Sequence, residues 1–190
     1  MKTYTAEQIK ETLRLHKLWL DLDGDPSGVR ANLRDANMQN ANLQGANMRF
    51  ANMRNADMRD ADMRGANLQG ADMRDANLQV GNMRFANLQG ANMRFANMQG
   101  ADMQNANMQN AVGNMREIKS MQIDTWAVTY TSDMLQIGCQ RHSIELWRKS
   151  DPRWIAAMDT KASEWWDKFG PIVLGLIDAS PATATGKETR

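Results

Sequence analysis

Residues 31–50 read ANLRDANMQNANLQGANMRF, and the same five-residue pattern continues without a gap to Asn110. Each of the sixteen units opens with Ala, except at Gly81, and the second residue is always Asn or Asp. The third residue is always Leu or Met and the fourth is always Arg or Gln, whereas the fifth varies among Asp, Asn, Gly, Phe and Val. A fixed period of this kind determines the fold before any local propensity does.

A five-residue period fits neither the 3.6-residue turn of an α-helix nor the two-residue repeat of a flat strand. The Ala and the Leu or Met of each unit lie two residues apart, which places them on the same side of an extended chain. Asn, Asp and Gly tolerate the unusual dihedral angles of tight turns, so they suit the corners between extended segments. The pattern therefore predicts a solenoid of short extended sides, with a bore lined by Ala, Leu and Met.

Tandem units of the form A(D/N)LXX are the signature of the pentapeptide-repeat family, which residues 31–110 closely resemble, over 80 of the 190 residues. The resemblance implies an all-β solenoid core, a right-handed, four-sided β-helix with four units, or twenty residues, in each coil. Sixteen units then make about four coils. Because stacked strands lie about 4.8 Å apart, the shaft would be about 19 Å long.

The central column of the predicted bore is rich in methionine. Eleven of its sixteen residues are Met, and the other five are Leu33, Leu43, Leu68, Leu78 and Leu88. Methionine fills irregular gaps in a core because its side chain is unbranched and flexible. Neutral thioethers without charged co-ligands do not make a metal site, so no metal is predicted in the bore. Fully burying each Leu or Met contributes about 1.5–3 kcal/mol, which makes this column a substantial core.

Positive and negative charges are balanced along the chain, which has a net charge of +1. Residues 31–110 contain 8 Arg and 7 Asp, and the segments on either side contain equal numbers of acidic and basic groups. This balance does not indicate direct binding to nucleic acid. A single Cys excludes an internal disulfide framework, and no apolar stretch is long enough to span a membrane. Because the N-terminus also lacks a signal-peptide core, we expect a cytoplasmic protein without a membrane partner.

Residues 1–30 are predicted to form an N-terminal helix and loop that cap the first coil. Thr5 and Gln8 have the spacing of a capping box at the start of a helix over residues 5–20. Residues 21–28 are rich in Asp, Gly and Pro and are predicted to form a loop. A cap is needed because an open solenoid end exposes its apolar bore and its unpaired strand edges.

Four Arg side chains are candidates for a partner-binding surface. If each coil holds twenty residues, every fourth unit stacks on the same face, and one face carries Arg at every level: Arg34, Arg54, Arg74 and Arg94. Asp residues on that face reduce its positive charge, so it is either a solvated row of Arg and Asp or a docking stripe for an acidic partner. Phe50, Phe85 and Phe95 occupy fifth positions on three different faces, where they either pack between coils or anchor a partner.

The repeat segment is predicted to span residues 31–114, and residues 115–180 are predicted to form a C-terminal module of mixed α/β structure that is mainly helical. Between residues 118 and 139 the chain is rich in β-branched and aromatic residues, which predicts two or three strands. Five of the six Trp residues lie in this part of the chain. The module is expected to cap the shaft, to form a homodimer, or both, and the resemblance favours pairing of two shafts.

The second half of the module is predicted to be helical. Asp151 and Pro152 form a strong helix start, and that helix is predicted to continue to about residue 169. Pro171 is predicted to kink or restart the helix, because proline lacks a backbone N–H. The segment IVLGLI (172–177) is apolar all round and is predicted to be buried. Residues 181–190 are predicted to be disordered.

The sequence does not predict an enzyme. Cys139 and His142 are the only closely spaced Cys/His pair, and a zinc site usually needs three or four protein ligands. The chain lacks a Gly-rich phosphate loop and the GxSxG and HExxH motifs. We therefore predict no catalytic residue, no metal site and no cofactor.

These observations predict a non-catalytic scaffold that binds another protein and forms a homodimer through its C-terminal module. The resemblance supplies one alternative, because some pentapeptide-repeat proteins mimic B-DNA and bind type II topoisomerases such as gyrase. Such mimicry needs a long acidic rod, since the target surface is built to bind phosphates. This shaft is short and slightly positive, which favours the scaffold. The resemblance also implies a bacterial or phage origin.

Overall fold

A computed structural model of the chain describes residues 2–21 and 28–184. In chain order its elements are β1 (Lys2–Thr3), α1 (Ala6–Asp21), β2 (Ala36–Asn37), β3 (Lys119–Ile123), β4 (Trp126–Tyr130), β5 (Met134–Ile137), β6 (Gln140–Ser143), α2 (Ile144–Arg148), α3 (Pro152–Ala156) and α4 (Ala162–Ala179). Residues 22–27 of the predicted loop lie outside the described part of the chain. The repeats between β2 and β3 are joined by isolated parallel bridges rather than by long strands.

Backbone hydrogen bonds join each repeat unit to the unit twenty residues further along the chain. Parallel bridges connect second residues at this spacing, from Asn32 with Asn52 to Asn92 with Val112. The third residue donates its N–H to the second-residue carbonyl of the next coil, as from Leu33 N to Asn52 O at 2.7 Å. A coil therefore contains twenty residues, or four units, and each unit ends in a turn. This winding makes the repeat segment a β-helical solenoid.

The bore is filled by the Leu and Met side chains of the third positions. All sixteen are buried, and the most exposed of them, Met103, shows only 7% of its surface. The first-position Ala side chains are buried beside them, except for Ala41 and Ala46, which are half-buried against the same core. Burial of one small and one large apolar side chain per unit is the outcome that the two-residue spacing predicted.

The fifth residue of every unit turns the corner in a left-handed backbone conformation. Its φ is positive in all sixteen units, between 56° and 74°. The second residue supports the corner because its side chain accepts the N–H of the fourth residue, as between Asn37 Oδ1 and Gln39 N at 3.2 Å. Gly, Asn and Asp adopt this conformation readily, whereas a β-branched residue such as Val80 does so only against steric strain.

The N-terminal segment adds one strand and one helix to the first coil. β1 pairs in parallel with β2, and Thr3 lies opposite Asn37. The predicted capping box begins α1: Thr5 donates its N–H to Gln8 Oε1 at 2.9 Å, and Gln8 donates its N–H to Thr5 Oγ1 at 3.2 Å. These reciprocal bonds satisfy two backbone donors that the helix itself leaves unpaired.

His16 on α1 ties the helix to the first repeat. Its side chain is fully buried and stacks on Trp19, with ring centroids 5.6 Å apart. Nδ1 of His16 accepts the backbone N–H of Ala31 at 3.1 Å. Burial lowers the pKa of His16, which favours the neutral imidazole that this bond requires. Ile9 from the same helix is buried against the bore, so α1 closes the first coil.

Strands β3 to β6 form an antiparallel sheet in chain order. The sequence predicted two or three strands, and the structure has four. The additional strand, β6, reads QRHS and lacks the β-branched and aromatic residues that mark the others. It forms because the turn after β5 directs it back along that strand, where Leu135 pairs with His142.

The two faces of this sheet have different partners. The apolar face, which includes Val128, Leu135 and Ile137, packs with the helices in a second core cluster separate from the bore. The polar face covers the last coil. There Gln136 Oε1 accepts the N–H of Met108 at 3.1 Å, and this N–H has no further coil to pair with. Ser120 Oγ likewise accepts the N–H of Gly113 at 3.0 Å, so the sheet caps the shaft through hydrogen bonds.

The helices differ from the prediction in two ways. The single helix expected from Pro152 to about residue 169 is interrupted, because residues 157–161 form turns between α3 and α4. Pro171 neither ends nor restarts a helix, since α4 runs through it to Ala179. Burial of Val173 and Ile177 beyond the proline offsets the cost of about 3 kcal/mol for proline inside a helix.

Two further predictions for the C-terminal module need correction. IVLGLI is not buried on all sides, because Ile172 and Leu176 are 52% and 41% exposed. The prediction of a disordered tail from residue 181 is wrong for its first residues, since Ala182 is buried and Thr183 donates its N–H to the Arg116 carbonyl at 2.8 Å. Residues 185–190 lie outside the described chain.

Gly81→Ala is expected to raise the free energy of unfolding by about 0.5–1 kcal/mol, because Ala restricts the unfolded chain more than Gly does. Gly81 makes the same N–H bond to the carbonyl three residues before it, at 3.0 Å, as Ala86 makes. The added Cβ would lie 3.1 Å from the Leu78 carbonyl oxygen, a tight contact, and 3.6 Å from the flexible end of Met63, but Ala fills the same position in the other fifteen units. Urea unfolding followed by Trp fluorescence measures the change.

The matched control is Gly65→Ala at a fifth position. Gly65 has φ of +64° and open space around it, so the substitution isolates backbone strain. We expect it to lower the free energy of unfolding by about 1–2 kcal/mol. Equal effects of the two substitutions would contradict the assignment of bore and corner positions.

Candidate interaction surfaces

The four Arg residues predicted as a ladder occupy equivalent positions in successive coils. Their neighbours at the second positions are bridged at twenty-residue intervals, which places the four side chains on one face of the shaft: Arg34, Arg54, Arg74 and Arg94. The stacking arises from the period alone, because four units complete each coil.

Two of these four Arg side chains form ion pairs with Asp, and the other two do not. Arg34 Nε lies 3.4 Å from Asp35, and Arg74 donates two hydrogen bonds to Asp72 at 2.8 and 2.5 Å. Arg54 and Arg94 have no ion pair within the described part of the chain, but Arg54 is half-buried and, after Arg74, also helps to lower the pKa of Asp72. Arg94, which is exposed, is therefore the member of the ladder most open to a partner.

An exposed apolar surface adjoins the free Arg94. Phe95 is 79% exposed, more than any other large apolar side chain in the described ranges, and Met115 is 58% exposed at the corresponding corner twenty residues on. Beside them, a groove of about 370 Å³ runs between Arg94 and the residues of β3 and β4. We call Arg94, Phe95 and Met115 the Arg94 patch.

The other two Phe corners have different surroundings. The ring of Phe50 stands over Gly70 of the next coil, where an added Cβ would come within 2.6 Å of it. Phe50 therefore packs between coils. Phe85 is 58% exposed, and the guanidinium of Arg84 lies 5.7 Å from its ring centroid.

Most acidic residues on the second positions of the shaft are held by Arg. Each of three carboxylates accepts hydrogen bonds from the guanidinium two residues later: Asp57 from Arg59, Asp62 from Arg64, and Asp72 from Arg74. These bonds lower the pKa of all three carboxyl groups. Asp57 is the most buried, at 5% exposure, and also accepts from Gln39 Nε2 at 2.6 Å. The shaft therefore presents these charges as internal pairs.

A cavity of about 80 Å³ opens in the C-terminal module between the sheet and the helices. Trp126, Trp147, Trp165 and Trp166 contribute to its walls, and Cys139 lies at its rim. The sequence shows that Trp is concentrated in this module, but it did not predict the cavity. The walls come from separate elements that no local spacing relates, so only the tertiary structure brings them together.

Cys139 and His142 have different surroundings. Cys139 is an exposed free thiol, whereas His142 packs edge-on against Trp154 with ring centroids 4.8 Å apart. Burial lowers the pKa of His142. Across residues 2–21 and 28–184, no group of three His, Cys, Asp or Glu side chains is arranged to hold a metal ion. No helix in these ranges is long and apolar enough to cross a membrane.

Asp57→Asn is expected to lower the free energy of unfolding at neutral pH by about 1 kcal/mol, because it removes the charge from the bonds to Arg59. Asn fits this position, since Asn37 and Asn77 occupy it in the coils on either side. The pKa of Asp57 is lowered in the folded state, so its stabilisation is present above the unfolded pKa and is lost as pH falls through the folded pKa.

Urea unfolding at a series of pH values tests this expectation. The difference between the wild type and the variant should be constant near neutrality and shrink below about pH 4. Asp35→Asn serves as the control, because the Asp35 side chain is 53% exposed and its pair with Arg34 contributes little. If Asp57→Asn lowered the free energy of unfolding equally at every pH, the charge of Asp57 would not be responsible for the stabilisation.

The repeat segment matches the family model described as pentapeptide repeats over residues 29–65, 41–79 and 82–112, with eight copies. No curated protein matches this chain closely enough to count as a relative.

Several solved structures are similar over part of the chain. The pentapeptide repeat protein Rfr23 from the cyanobacterium Cyanothece 51142 is 32% identical over 44% of this chain and 61% of its own, with a TM-score of 0.27. The pentapeptide repeat protein alr5209 from Nostoc Pcc 7120 is 28% identical over 54% and 77%, with a TM-score of 0.28. QnrB1, a plasmid-mediated fluoroquinolone resistance protein, is 21% identical over 42% and 47%, with a TM-score of 0.25.

The chain thus spans less than two thirds of the length of Rfr23. The family model covers the same stretch in which backbone bridges recur every twenty residues. This repeat segment belongs to the pentapeptide-repeat family.

Proposed function

We propose that the protein is a non-catalytic scaffold that binds a protein partner on the outside of a right-handed, four-sided β-helix. The filled bore supports this proposal most strongly, because its sixteen central side chains are buried and the shaft offers only its outer faces. Stacked repeats provide an extended, rigid surface of the kind that other repeat proteins use for binding. The proposal includes a cytoplasmic location and requires neither a cofactor nor direct contact with nucleic acid.

The partner is proposed to dock on the Arg94 patch. Arg94 is exposed and has no ion pair in the described chain, whereas Arg54, two coils or about 10 Å away, is half-buried and interacts with Asp72. Phe95 and Met115 add exposed apolar area at the adjoining corner. Arg and aromatic residues are enriched among the residues that dominate binding energy at protein interfaces. We therefore expect a protein segment that carries acidic side chains beside an apolar anchor.

Site-specific photo-crosslinking in the source cells tests this docking surface. A benzoylphenylalanine at position 95 is expected to give a discrete adduct, whereas the same probe at position 85 is not. Position 85 is the matched control, because Phe85 is also exposed at a corner and also follows an Arg. Arg94→Glu should reduce the adduct at position 95 about tenfold, through loss of a hot-spot contact. Equal adducts at both positions, or no effect of Arg94→Glu, would contradict the proposal.

Mimicry of DNA toward a type II topoisomerase such as gyrase is the second candidate, and it is less well supported. The repeats carry 8 Arg against 7 Asp, and five of these Asp are paired with Arg. A surface built to bind phosphates requires a continuous negative partner. The likeness to QnrB1 is too distant to transfer a role. Inhibition of gyrase supercoiling by the purified chain would reverse this preference.

Self-association is proposed to use one face of α4. Pro171, Ile172, Gly175 and Leu176 are all exposed there, and nothing lies within 4 Å of a Cβ placed on Gly175. This stripe carries no charge, and the nearby Arg148 is already paired with Asp178. A second copy presents the same uncharged stripe, so the face complements itself across a two-fold axis. Close approach at Gly175 would bury Ile172 and Leu176 of both copies.

The double substitution Ile172→Glu and Leu176→Glu is expected to convert a dimer to a monomer, because the interface would bury four like charges. Light scattering of the full chain measures the mass. Leu146→Glu is the matched control, since Leu146 is 44% exposed on α2 outside the stripe, and it should leave the mass unchanged. A wild-type chain that remains monomeric at high concentration would rule out the proposed dimer.

A further inference from the structure

The cavity in the C-terminal module has walls of unusual composition. Twelve residues line it, of which four are Trp and none is Lys, Arg or His. Ile137, Ile155, Met158 and Ala162 supply the remaining apolar surface. The single ionisable carboxylate is that of Asp159. Since one water molecule needs only about 10–15 Å³, a volume of about 80 Å³ suits a compact group of a few heavy atoms.

The indole rings form two tilted pairs within this wall. The ring centroids of Trp126 and Trp165 lie 5.1 Å apart, and those of Trp147 and Trp166 lie 4.9 Å apart. Trp147 is fixed because its Nε1 donates to the Leu135 carbonyl at 2.9 Å. Trp166 lies against Gly170, where an added Cβ would come within 2.7 Å of the ring. Trp147 and Trp166 are therefore held in place by the fold.

The electrostatic character of the cavity favours a cation. Indole faces carry a negative quadrupole potential and bind cations more strongly than other aromatic rings do. The cation–π contacts found in the described chain use Phe50, Phe85 and Phe169, and none uses a Trp of this cavity. Asp159 adds a negative charge at the wall, where its Oδ1 accepts the backbone N–H of Lys161 at 2.9 Å, and no Lys or Arg side chain of the described residues forms an ion pair with it. The wall thus offers indole rings and a carboxylate, and Lys161 and Lys168 line the adjoining groove rather than this cavity.

We propose that this cavity is a binding site for a quaternary ammonium group. A methylated ammonium is compact and carries its charge on an apolar surface, so it loses little hydration on entering a Trp-lined cavity. A primary ammonium is more strongly hydrated and is disfavoured by the same walls. Trp126, Trp165 and Trp166 surround the methyl groups, and Asp159 balances the charge at the mouth. This site is independent of the Arg94 patch and of the stripe on α4.

Such a group has two sources, a free small molecule or a trimethylated lysine side chain. Calorimetric titration of the full chain with choline represents the first source, and titration with a short peptide that carries trimethyllysine represents the second. The neutral carbon isostere of choline, 3,3-dimethyl-1-butanol, and the unmodified lysine peptide are the controls. We expect at least one cation to bind about tenfold more tightly than its control. The tighter of the two cations identifies the source.

Substitutions distinguish the contribution of the carboxylate to binding from that of the indole rings. Asp159→Asn is expected to weaken binding of the cation about tenfold without changing the isostere. Asp167→Asn is the matched control, because Asp167 is exposed on the same module and does not line the cavity. Trp126→Leu should weaken binding of the cation more than binding of the isostere, since Leu keeps part of the apolar surface but lacks the π face. Near-ultraviolet circular dichroism confirms that each variant is folded.

The wild-type chain provides a second measurement that needs no variant. Cys139 is exposed at the rim of the cavity, so a bound ligand should slow its alkylation by iodoacetamide. Protection by the cation, but not by the isostere, supports the site. Equal binding of cation and isostere, or absence of both binding and protection at saturating concentrations, would overturn the proposal.

Discussion

The backbone hydrogen bonds between units twenty residues apart hold the coils of the shaft together, because backbone bonds between successive units of one coil are limited to the turn at each corner, as from Ala36 N to the Leu33 carbonyl. Asn52 shows the pattern, since it donates to the Ala31 carbonyl at 2.9 Å and accepts from Leu33 at 2.7 Å. A shift by one residue would move every Leu and Met out of the bore and every left-handed residue off its corner. The uninterrupted five-residue period is therefore a requirement of the hydrogen-bond register, and the packed bore follows from it.

The same bonding pattern creates a problem at each end, where a coil has no neighbour on one side. At the first coil, β1 adds a strand and His16 accepts the N–H of Ala31. At the last coil, Gln136 and Ser120 accept N–H groups that would otherwise pair with a further coil. Both ends are thus closed by polar side chains with defined geometry as well as by apolar cover. A cap of this kind stops the solenoid from pairing with another chain along its axis.

The parts of the structure that could be predicted from the sequence are those set by residues that lie close together in the chain. The bore, the corners and the capping box of Thr5 and Gln8 depend on residues a few positions apart, so their spacing is visible in the sequence. Arg74 is paired because Asp72 stands two residues before it, and Arg94 is free because Asn stands there instead. This difference depends on which units carry Asp in place of Asn. The continuity of α4 through Pro171 depends on burial beyond the proline, and the Trp-lined cavity depends on contacts between β4, α2 and α4. Tertiary packing decides such features, and a period cannot reveal them.

Exposed apolar side chains are distributed unevenly along the shaft, and this distribution bears on function. In the first coils the apolar corner residue, Phe50, is covered in part by packing over Gly70. Toward the C-terminal end, exposure rises from 47% at Val80 to 58% at Phe85 and 79% at Phe95. The free Arg94, the uncharged stripe on α4 and the Trp-lined cavity lie at or beyond this end of the chain. Because stability does not require an exposed Phe, this distribution supports the proposal that the repeats serve as a rigid support and that recognition uses the end where Phe95 adjoins Arg94.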